Sequence, residues 1–181
     1  MALAAATLAL QGCSGGDAPD DETPEVSTAT LAALVMEADG LSTVAGVIGE
    51  AGLAHVFDGA ASYTLLAPQD SAFEALGAAG EELRSDEQRA AMVAILRDHI
   101  VLGYLTPRDI ANAIEADDDR SIQMRTMGDH LLTFTGEADA ITVTAEDGAT
   151  ARFAGEALLG SNGVAIPLDG VLRKVGEAPN R

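Results

Sequence analysis

The chain is poor in cysteine, basic residues and aromatic residues, and each shortage excludes a class of protein. Cys13 is the single cysteine among 181 residues, so an internal disulfide is impossible and a cysteine-ligated structural zinc site is not expected. Ten Lys and Arg stand against 29 Asp and Glu, and the resulting charge of −19 repels nucleic acid phosphates and anionic membranes. With no Trp and 3% aromatic residues, the core must be built mainly from Ala, Val, Leu and Ile.

Length and charge distribution bound the organisation of the chain. A chain of 181 residues predicts one ordinary domain rather than two large ones. The first basic residue is Arg84, so the amino-terminal half is acidic and all ten Lys and Arg lie in the other half. Nucleic acid is therefore not an expected partner.

The amino-terminal segment resembles a lipoprotein leader. Residues 1–12 form an apolar run of signal-peptide length, too short to span a bilayer. The run ends at Leu10 to Cys13, which resembles the bacterial lipobox, in which the cysteine is acylated and becomes the first mature residue. Gln11 is larger than usual at its place, and no Lys or Arg precedes the run. We expect lipidation at Cys13; the alternative is an ordinary thiol in an unfolded tail.

The polar segment after this run predicts a tether. Residues 13–27 comprise the lipobox cysteine and a stretch of Gly, Ser, Pro, Thr and acid that has almost nothing to bury, which is typical of disorder. We expect the folded domain to span residues 28–176, followed by a short tail at 177–181. Ser14, by resemblance to lipoprotein sorting patterns, indicates the outer membrane of a Gram-negative cell.

Apolar spacing and caps predict the helices. They are expected at about 31–38, 42–51, from 71, at 85–99 and at 106–114. The spacing of a capping box occurs at Ser71 with Glu74 and at Ser85 with Gln88. Residues 106–109 (TPRD) combine a cap, a first-turn proline and a first-turn acid.

Short apolar or β-branched runs separated by turn residues predict the strands. They are expected at 62–67, 121–126, 131–135, 140–144, 149–154, 157–159, 164–168 and 171–175. Helices come mostly first and strands afterwards, with too few β-α-β alternations for a parallel sheet. The pattern predicts an α+β domain with an antiparallel sheet.

Two segments carry a family resemblance. Tyr63 to Phe73 (YTLLAPQDSAF) resembles the first box of the fasciclin domain, and Asn162 to Leu172 (NGVAIPLDGVL) resembles its second box. His99 to Gly103 resembles the central histidine segment between them. The order and spacing of the three segments also fit, and the resemblance covers about residues 28–176.

The resemblance implies a fold and a type of function. The fold is an antiparallel β-wedge with several helices packed around it, found in secreted or surface-anchored proteins associated with adhesion and matrix contacts. By this resemblance we expect structural roles for seven box residues: Pro68, Asp70, Phe73, His99, Asn162, Gly163 and Asp169. His99 shares an apolar helix stripe, and we expect its ring to be buried and hydrogen-bonded near Pro68 to Asp70.

The chain departs from the family pattern at two places. The family usually has a His in the strand of the second box, where this chain has Ile166 followed by Pro167, and a Tyr before the central His, where it has Asp98. Because proline removes a donor from the ladder, we expect that strand to be an edge or bulged at Pro167.

Motifs for catalysis or cofactor binding are missing from the sequence. His55, His99 and His130 form no metal-binding pair, and there is no G-x-S-x-G elbow or glycine-rich phosphate loop. Residues 117–119 are three aspartates without the spacing of a calcium loop, so a solvated loop is expected. Asp70, beside a helix start, is expected to accept backbone N–H bonds rather than act as an acid or base. We therefore expect no catalytic, cofactor or metal residue.

These observations favour a non-catalytic, surface-anchored adhesion or binding module of the bacterial cell envelope. Its partner would be an envelope or matrix component, either protein or polysaccharide, and its contact with a membrane would be through the lipid anchor alone. The alternative is an envelope carrier that holds a small ligand between helices and sheet, recognisable by a well-formed apolar cavity. An enzyme is the third class.

Overall fold

A computed structural model describes residues 26–50, 52–57, 61–137 and 140–175 of the protein. The signal-like segment 1–12, Cys13, most of the tether and the tail at 177–181 lie outside these residues. In the part of the chain that is described, no helix is long and apolar enough to cross a membrane.

The helices lie mainly in the first two thirds of the chain, as the apolar spacing predicts. They are α1 Leu31–Glu37, α2 Ser42–Glu50, α3 Ala54–Phe57, α4 Asp70–Ala75, α5 Ala78–Leu83, α6 Arg89–Asp98 and α7 Pro107–Ala116. The cap at residues 106–109 is confirmed, because Thr106 and Asp109 form a reciprocal capping box at the start of α7.

The other two predicted capping boxes are wrong. Helix α4 begins one residue before Ser71, so Ser71 lies inside the first turn and cannot cap it. Ser85 precedes a 3₁₀ turn at Asp86–Gln88, and its side chain makes no cap hydrogen bond. In both cases the S-x-x-E/Q spacing occurs without the reciprocal contact that defines the box.

The first sheet has the strand order β2-β1-β8-β7 and contains both boxes. Its strands are β1 Tyr63–Pro68, β2 Ile100–Leu102, β7 Leu158–Leu159 and β8 Gly163–Leu168. Strands β1 and β8 pair in parallel, whereas the other neighbours are antiparallel. The expectation of a purely antiparallel sheet is therefore wrong at this pair, because the long stretch of chain between the boxes acts as a crossover.

The second sheet is the antiparallel meander β3-β4-β5-β6. Its strands are β3 Ser121–Arg125, β4 Leu131–Thr135, β5 Thr142–Ala145 and β6 Thr150–Arg152. Isolated bridges between Val101 and Thr126 and between Phe153 and Leu168 join it to the first sheet. The two sheets and the helices around them form the predicted α+β wedge.

Two hydrophobic clusters lie on opposite faces of the first sheet. Leu65, Ala67 and Ala165 face a cluster shared with the helices, whereas Leu66, Val164 and Ile166 face a cluster shared with the second sheet and α7. Because alternate residues of a strand point to opposite faces, a strand buried on both sides is apolar throughout. This explains the continuous apolar runs in both boxes.

The carboxyl-terminal strands differ from prediction in two ways. Residues 171–175 form an irregular segment rather than a strand. Val171 and Leu172 are buried nevertheless, because Val171 packs in the helix-side cluster and Leu172 packs in the cluster shared with the second sheet. Strand β8 lies between β1 and β7, so it is not an edge strand as a whole, and an edge exists only locally at Pro167. Strand β7 pairs only with Val164 and Ala165 and stops before Pro167, whose carbonyl accepts a bond from Ala154.

Candidate functional site

The two boxes lie side by side in the first sheet. Tyr63 is opposite Gly163, and Pro68 is opposite Leu168, so the strands of both boxes run in register along their whole length. Residues that begin the second box therefore lie at one end of the pair, and residues that follow both strands lie at the other. Pro68 is buried at the end of β1, and Phe73 of α4 is in the helix-side cluster.

At the beginning of β8, Asn162 and Gly163 bind the amino-terminal helices. The Asn162 Oδ1 atom accepts a 2.8 Å hydrogen bond from the Leu31 N–H at the start of α1, and its Nδ2 donates to the Phe57 carbonyl at the end of α3. A Cβ at Gly163 would lie 2.5 Å from the Tyr63 carbonyl oxygen, so only glycine fits. Both residues therefore lie in close contact with the amino-terminal part of the domain.

At the other end, Asp169 connects the second box to β6. Its Oδ1 accepts a 2.6 Å hydrogen bond from the Arg152 N–H, and its own N–H donates to the Arg152 carbonyl at 3.1 Å. The pair of bonds joins the two sheets beside the Phe153–Leu168 bridge.

Asp70 caps a helix, but not the helix it belongs to. Its carboxylate accepts hydrogen bonds from the Thr43 N–H at 2.8 Å, the Ser42 N–H at 3.1 Å and the Ser42 hydroxyl at 2.8 Å. Partial burial raises the pKa of Asp70, but these bonds outweigh it and hold the pKa below its ordinary value. The predicted acceptance of backbone N–H bonds is confirmed, with α2 rather than α4 as the capped helix.

His99 is fully buried at the end of α6. Its Nδ1 lies 2.8 Å from the Ile95 carbonyl, which can only accept, so Nδ1 carries the proton and Nε2 accepts the Leu172 N–H at 2.9 Å. Burial lowers the pKa of His99 to about 4, against smaller opposing effects of Ile95 and Asp98. The expected ring bond to the first box is wrong, because the ring bonds the end of the second box; the His99 backbone carbonyl accepts from Leu66 in β1.

Beside His99, ionisable residues from four segments line an open cleft of about 520 Å³. Asp98 ends α6, and its mostly buried carboxylate accepts a 2.8 Å bond from His130 Nδ1. Arg173 lies between two carboxylates, with Nη1 3.6 Å from Asp98 Oδ2 and Nε 3.9 Å from Asp147 Oδ2. Asp147 in turn accepts the N–H groups of Ala149 and Lys174, both at 2.9 Å.

Glycine is required where this cluster meets the β3–β4 turn. A Cβ at Gly128 would lie 1.8 Å from Asp98 Oδ1, so a side chain here would displace the carboxylate. A second cleft of about 370 Å³, lined in part by Arg97 and Gly128, adjoins the first and shares Asp98, His130 and Arg173 with it.

The comparison with protein families decides the identity of the fold. The model of the fasciclin domain matches residues 39–174. The chain belongs to the fasciclin domain family. Helix α1 precedes the matched segment, yet it packs against α2 and β8 and is bonded by Asn162, so it is part of this fasciclin domain.

A solved structure supports the same fold. The domain is similar to a pair of FAS1 domains from the insect cell adhesion molecule fasciclin I, with a TM-score of 0.58 and 24% sequence identity. The match covers 74% of this chain and 45% of the domain pair, so the chain spans less than half of that protein's length. None of the curated proteins with which the chain was compared matches it.

The charged cluster of this fasciclin domain has no signature in the sequence. Asp98 departs from the family pattern, but His130 is 32 residues away in sequence and Arg173 lies in another segment, so no local spacing reveals them. Among the described residues, no group of three or more His, Cys, Asp or Glu side chains could hold a metal ion.

Proposed function

We propose that this fasciclin domain is a non-catalytic adhesion or binding module, anchored at the surface of a bacterial cell envelope, that contacts a matrix, glycan or protein partner. The family match carries the proposal, because fasciclin domains are modules of the cell-adhesion type. Family membership alone does not fix a function, because one fold can host many functions.

The polar residues of the boxes support a binding role rather than catalysis. Asp70, Asn162 and Asp169 use their side chains to bond backbone N–H groups, and the His99 ring is sealed in the core with a partner on each nitrogen. A catalytic base must reach a substrate proton directly or through a water. The buried His99 ring cannot reach a substrate, and the side chains of the other three already accept backbone N–H groups of this fold.

The interior gives the carrier alternative little support. A partly enclosed cavity between the helices and β1, lined by Val44, Phe73, Met92 and His99 among others, has a volume of about 10 Å³. Such a space holds about one water, whereas ligand pockets are roughly 300–1,000 Å³. Native mass spectrometry of the purified protein tests the carrier, since a stoichiometric bound compound would favour it over adhesion.

Anchoring through Cys13 is the part of the proposal that concerns location. The apolar run that ends at Cys13 and the polar residues after it support a lipid anchor, at the outer membrane or on the periplasmic side; secretion is the other expected location. Each buried CH₂ of an acyl chain contributes about 0.8 kcal/mol, so two or three chains would hold the protein firmly. Mass spectrometry of protein purified from its own cell membranes should show an acylated Cys13; an unmodified thiol would refute the anchor.

Adhesion itself is tested with the full chain. Beads coated with folded protein should retain envelope fragments or whole cells of the source organism more strongly than beads coated with heat-unfolded protein. Equal retention would contradict the proposed function. Turnover of an envelope component, abolished by one side-chain change, would replace it with an enzyme.

A further inference from the structure

The two adjoining clefts form one trough in which scarce basic groups are concentrated. Arg97, His130, Arg173 and Lys174 all line it, in a chain with ten Lys and Arg and a charge of −19. Acidic groups line the trough as well, so it presents both signs of charge to solvent, whereas the whole chain is strongly negative.

Several of the cationic groups are available to a ligand. The Arg173 guanidinium is held at 3.6 and 3.9 Å from its carboxylates, beyond hydrogen-bond distance, so its N–H donors are not consumed by them. Lys174 has no carboxylate within 4.0 Å among the described residues, although its charge contributes to the lowered pKa of Asp147, and its ammonium lies over the turn at Gly148. By contrast, Arg125 beside the trough is already bound to Asp129 at 2.8 Å.

The centre of the trough is rigid. Asp98 is mostly buried, accepts from His130 Nδ1 and is packed against Gly128, which has no room for a side chain. These contacts fix the imidazole with Nδ1 toward Asp98, which leaves Nε2 as its remaining polar atom. A pre-ordered site binds with a smaller loss of side-chain entropy.

The charge pattern selects between partners. Glu146 and Asp147 line the same cleft as Arg173 and Lys174, so a polymer with a negative charge on every unit would be repelled along part of its length. A peptide segment can place one carboxylate at Arg173 and Lys174 and one cation at Glu146.

We propose that this trough is the partner-binding site of the domain and takes a surface peptide segment of a protein partner with an acidic side chain close to a basic one. Arg173 and Lys174 contact the carboxylate, Glu146 contacts the cation, and Asp98 is a positioning residue that holds His130 and Arg173. The proposal rests on the proposed binding function and assigns it a site and a ligand class.

The test is an NMR titration of the isotope-labelled full chain with terminally blocked peptides of equal length. One peptide carries an aspartate beside a lysine among glycines, and the others carry only the aspartate, only the lysine or neither; trigalacturonate represents the acidic polysaccharides. The mixed-charge peptide should shift the His130 and Arg173 side-chain signals and bind about tenfold more tightly than each other probe.

Substitutions locate the binding. Arg173→Gln and Lys174→Gln should each weaken binding of the mixed-charge peptide about fivefold or more. Arg152→Gln, which removes the same charge from an exposed position on β6, should leave binding unchanged. The amide spectrum of each variant reports whether it is folded, and Lys174→Gln leaves the ion pairs of Arg173 with Asp98 and Asp147 in place.

Three results of the peptide titrations would overturn the site: equal binding of all peptides, tighter binding of trigalacturonate than of the mixed-charge peptide, or an equal loss in Arg152→Gln. The bead assay separates this proposal from the proposed function. If Arg173→Gln protein retains cells as well as wild type, the trough is wrong and adhesion stands; if wild-type protein retains none, the adhesion function itself fails.

Discussion

At the scale of single residues, His99 holds three segments together. Its ring receives the Leu172 N–H and donates to Ile95, and its carbonyl bonds β1. His99→Ala should lower the free energy of unfolding by roughly 1–3 kcal/mol, because it leaves a buried N–H unsatisfied and removes packing. Urea denaturation measures this, with exposed His55→Ala as the control, expected within about 0.5 kcal/mol of wild type. A variant that unfolds like wild type but loses partner binding would contradict the structural role.

The same histidine predicts how stability depends on pH. Its pKa falls from an ordinary value of 6.5 to about 4 in the folded protein because the ring is buried. Between pH 4 and 6.5 the unfolded chain therefore binds a proton at His99 that the folded chain does not. The stability that the neutral ring contributes is complete above pH 6.5 and is lost as the pH falls toward 4. The loss amounts to about 3 kcal/mol.

Denaturation curves collected across this window check the effect. His99→Ala should flatten the dependence between pH 6.5 and 4, and His55→Ala should retain it. Further destabilisation below about pH 4 should persist in both, because the lowered pKa values of Asp70, Asp109 and Asp147 make those carboxylates stabilising only while they are ionised. An unchanged slope in His99→Ala would show that another group causes it.

Two glycines should respond to alanine with opposite signs. A methyl group at Gly163 would meet the Tyr63 carbonyl at 2.5 Å and Leu31 Cδ2 at 2.8 Å, so Gly163→Ala should destabilise the fold by about 1–3 kcal/mol through overpacking. Gly46 lies exposed in α2 with nothing near its Cβ position, so Gly46→Ala should stabilise by about 0.5–1 kcal/mol. Thermal melting measures the stability of both variants. A Gly163→Ala protein that melts at the same temperature as wild type would contradict the close contact between the strands.

At the scale of secondary structure elements, α2 depends on a carboxylate from α4. The Asp70 carboxylate accepts two N–H groups of the first turn of α2. Asp70→Ala should therefore lower the free energy of unfolding by about 1 kcal/mol. Glu74→Ala removes the same charge from the exposed face of α4 and serves as the control. Hydrogen exchange should show faster opening of α2 in Asp70→Ala, and a uniform change across the domain would contradict a local cap.

Much of the fold follows from local sequence, and the rest depends on distant contacts. Helical spacing located α1, α2 and α6, and β-branched runs located the meander, because these signals lie within single elements. Strand β2 was not predicted, since three residues directly after a helix carry no periodicity. The parallel pairing of β1 with β8 joins segments a hundred residues apart, which no local pattern contains.

The candidate site shows the same division. The seven box residues could be named from the resemblance. Apart from the local bond between His99 and Ile95, however, the side-chain partners of Asp70, His99 and Asn162 lie 27 to 131 residues away in sequence. The cluster of Asp98, His130 and Arg173 carries no motif, and only the folded chain brings it together.

At the scale of the whole molecule, charge governs which partners can approach. The chain carries a net charge of −19, and several arginines of its more basic half are already paired with carboxylates. They include Arg89 with Asp86 at 2.7 Å, Arg120 with Glu137 at 3.3 Å and Arg125 with Asp129 at 2.8 Å. A polyanionic partner must therefore be bridged by cations or approach the remaining cations near Arg152 and Arg173.

We therefore expect adhesion to depend on salt or on divalent cations. The screening length falls from about 10 Å at 0.1 M salt to about 3 Å at 1 M, so contacts between exposed charges should weaken steeply over that range. For a protein partner bound at the trough, adhesion should fall with salt and not require Ca²⁺; for a polyanionic partner, Ca²⁺ should restore it at low salt by bridging carboxylates. Bead adhesion at low and high salt, with and without Ca²⁺, measures both for the intact chain and for a version lacking residues 14–25. The shortened version lacks the acids of the tether and keeps the trough. If adhesion of both proteins is insensitive to every condition, an electrostatic contact is excluded and the contact is uncharged or apolar.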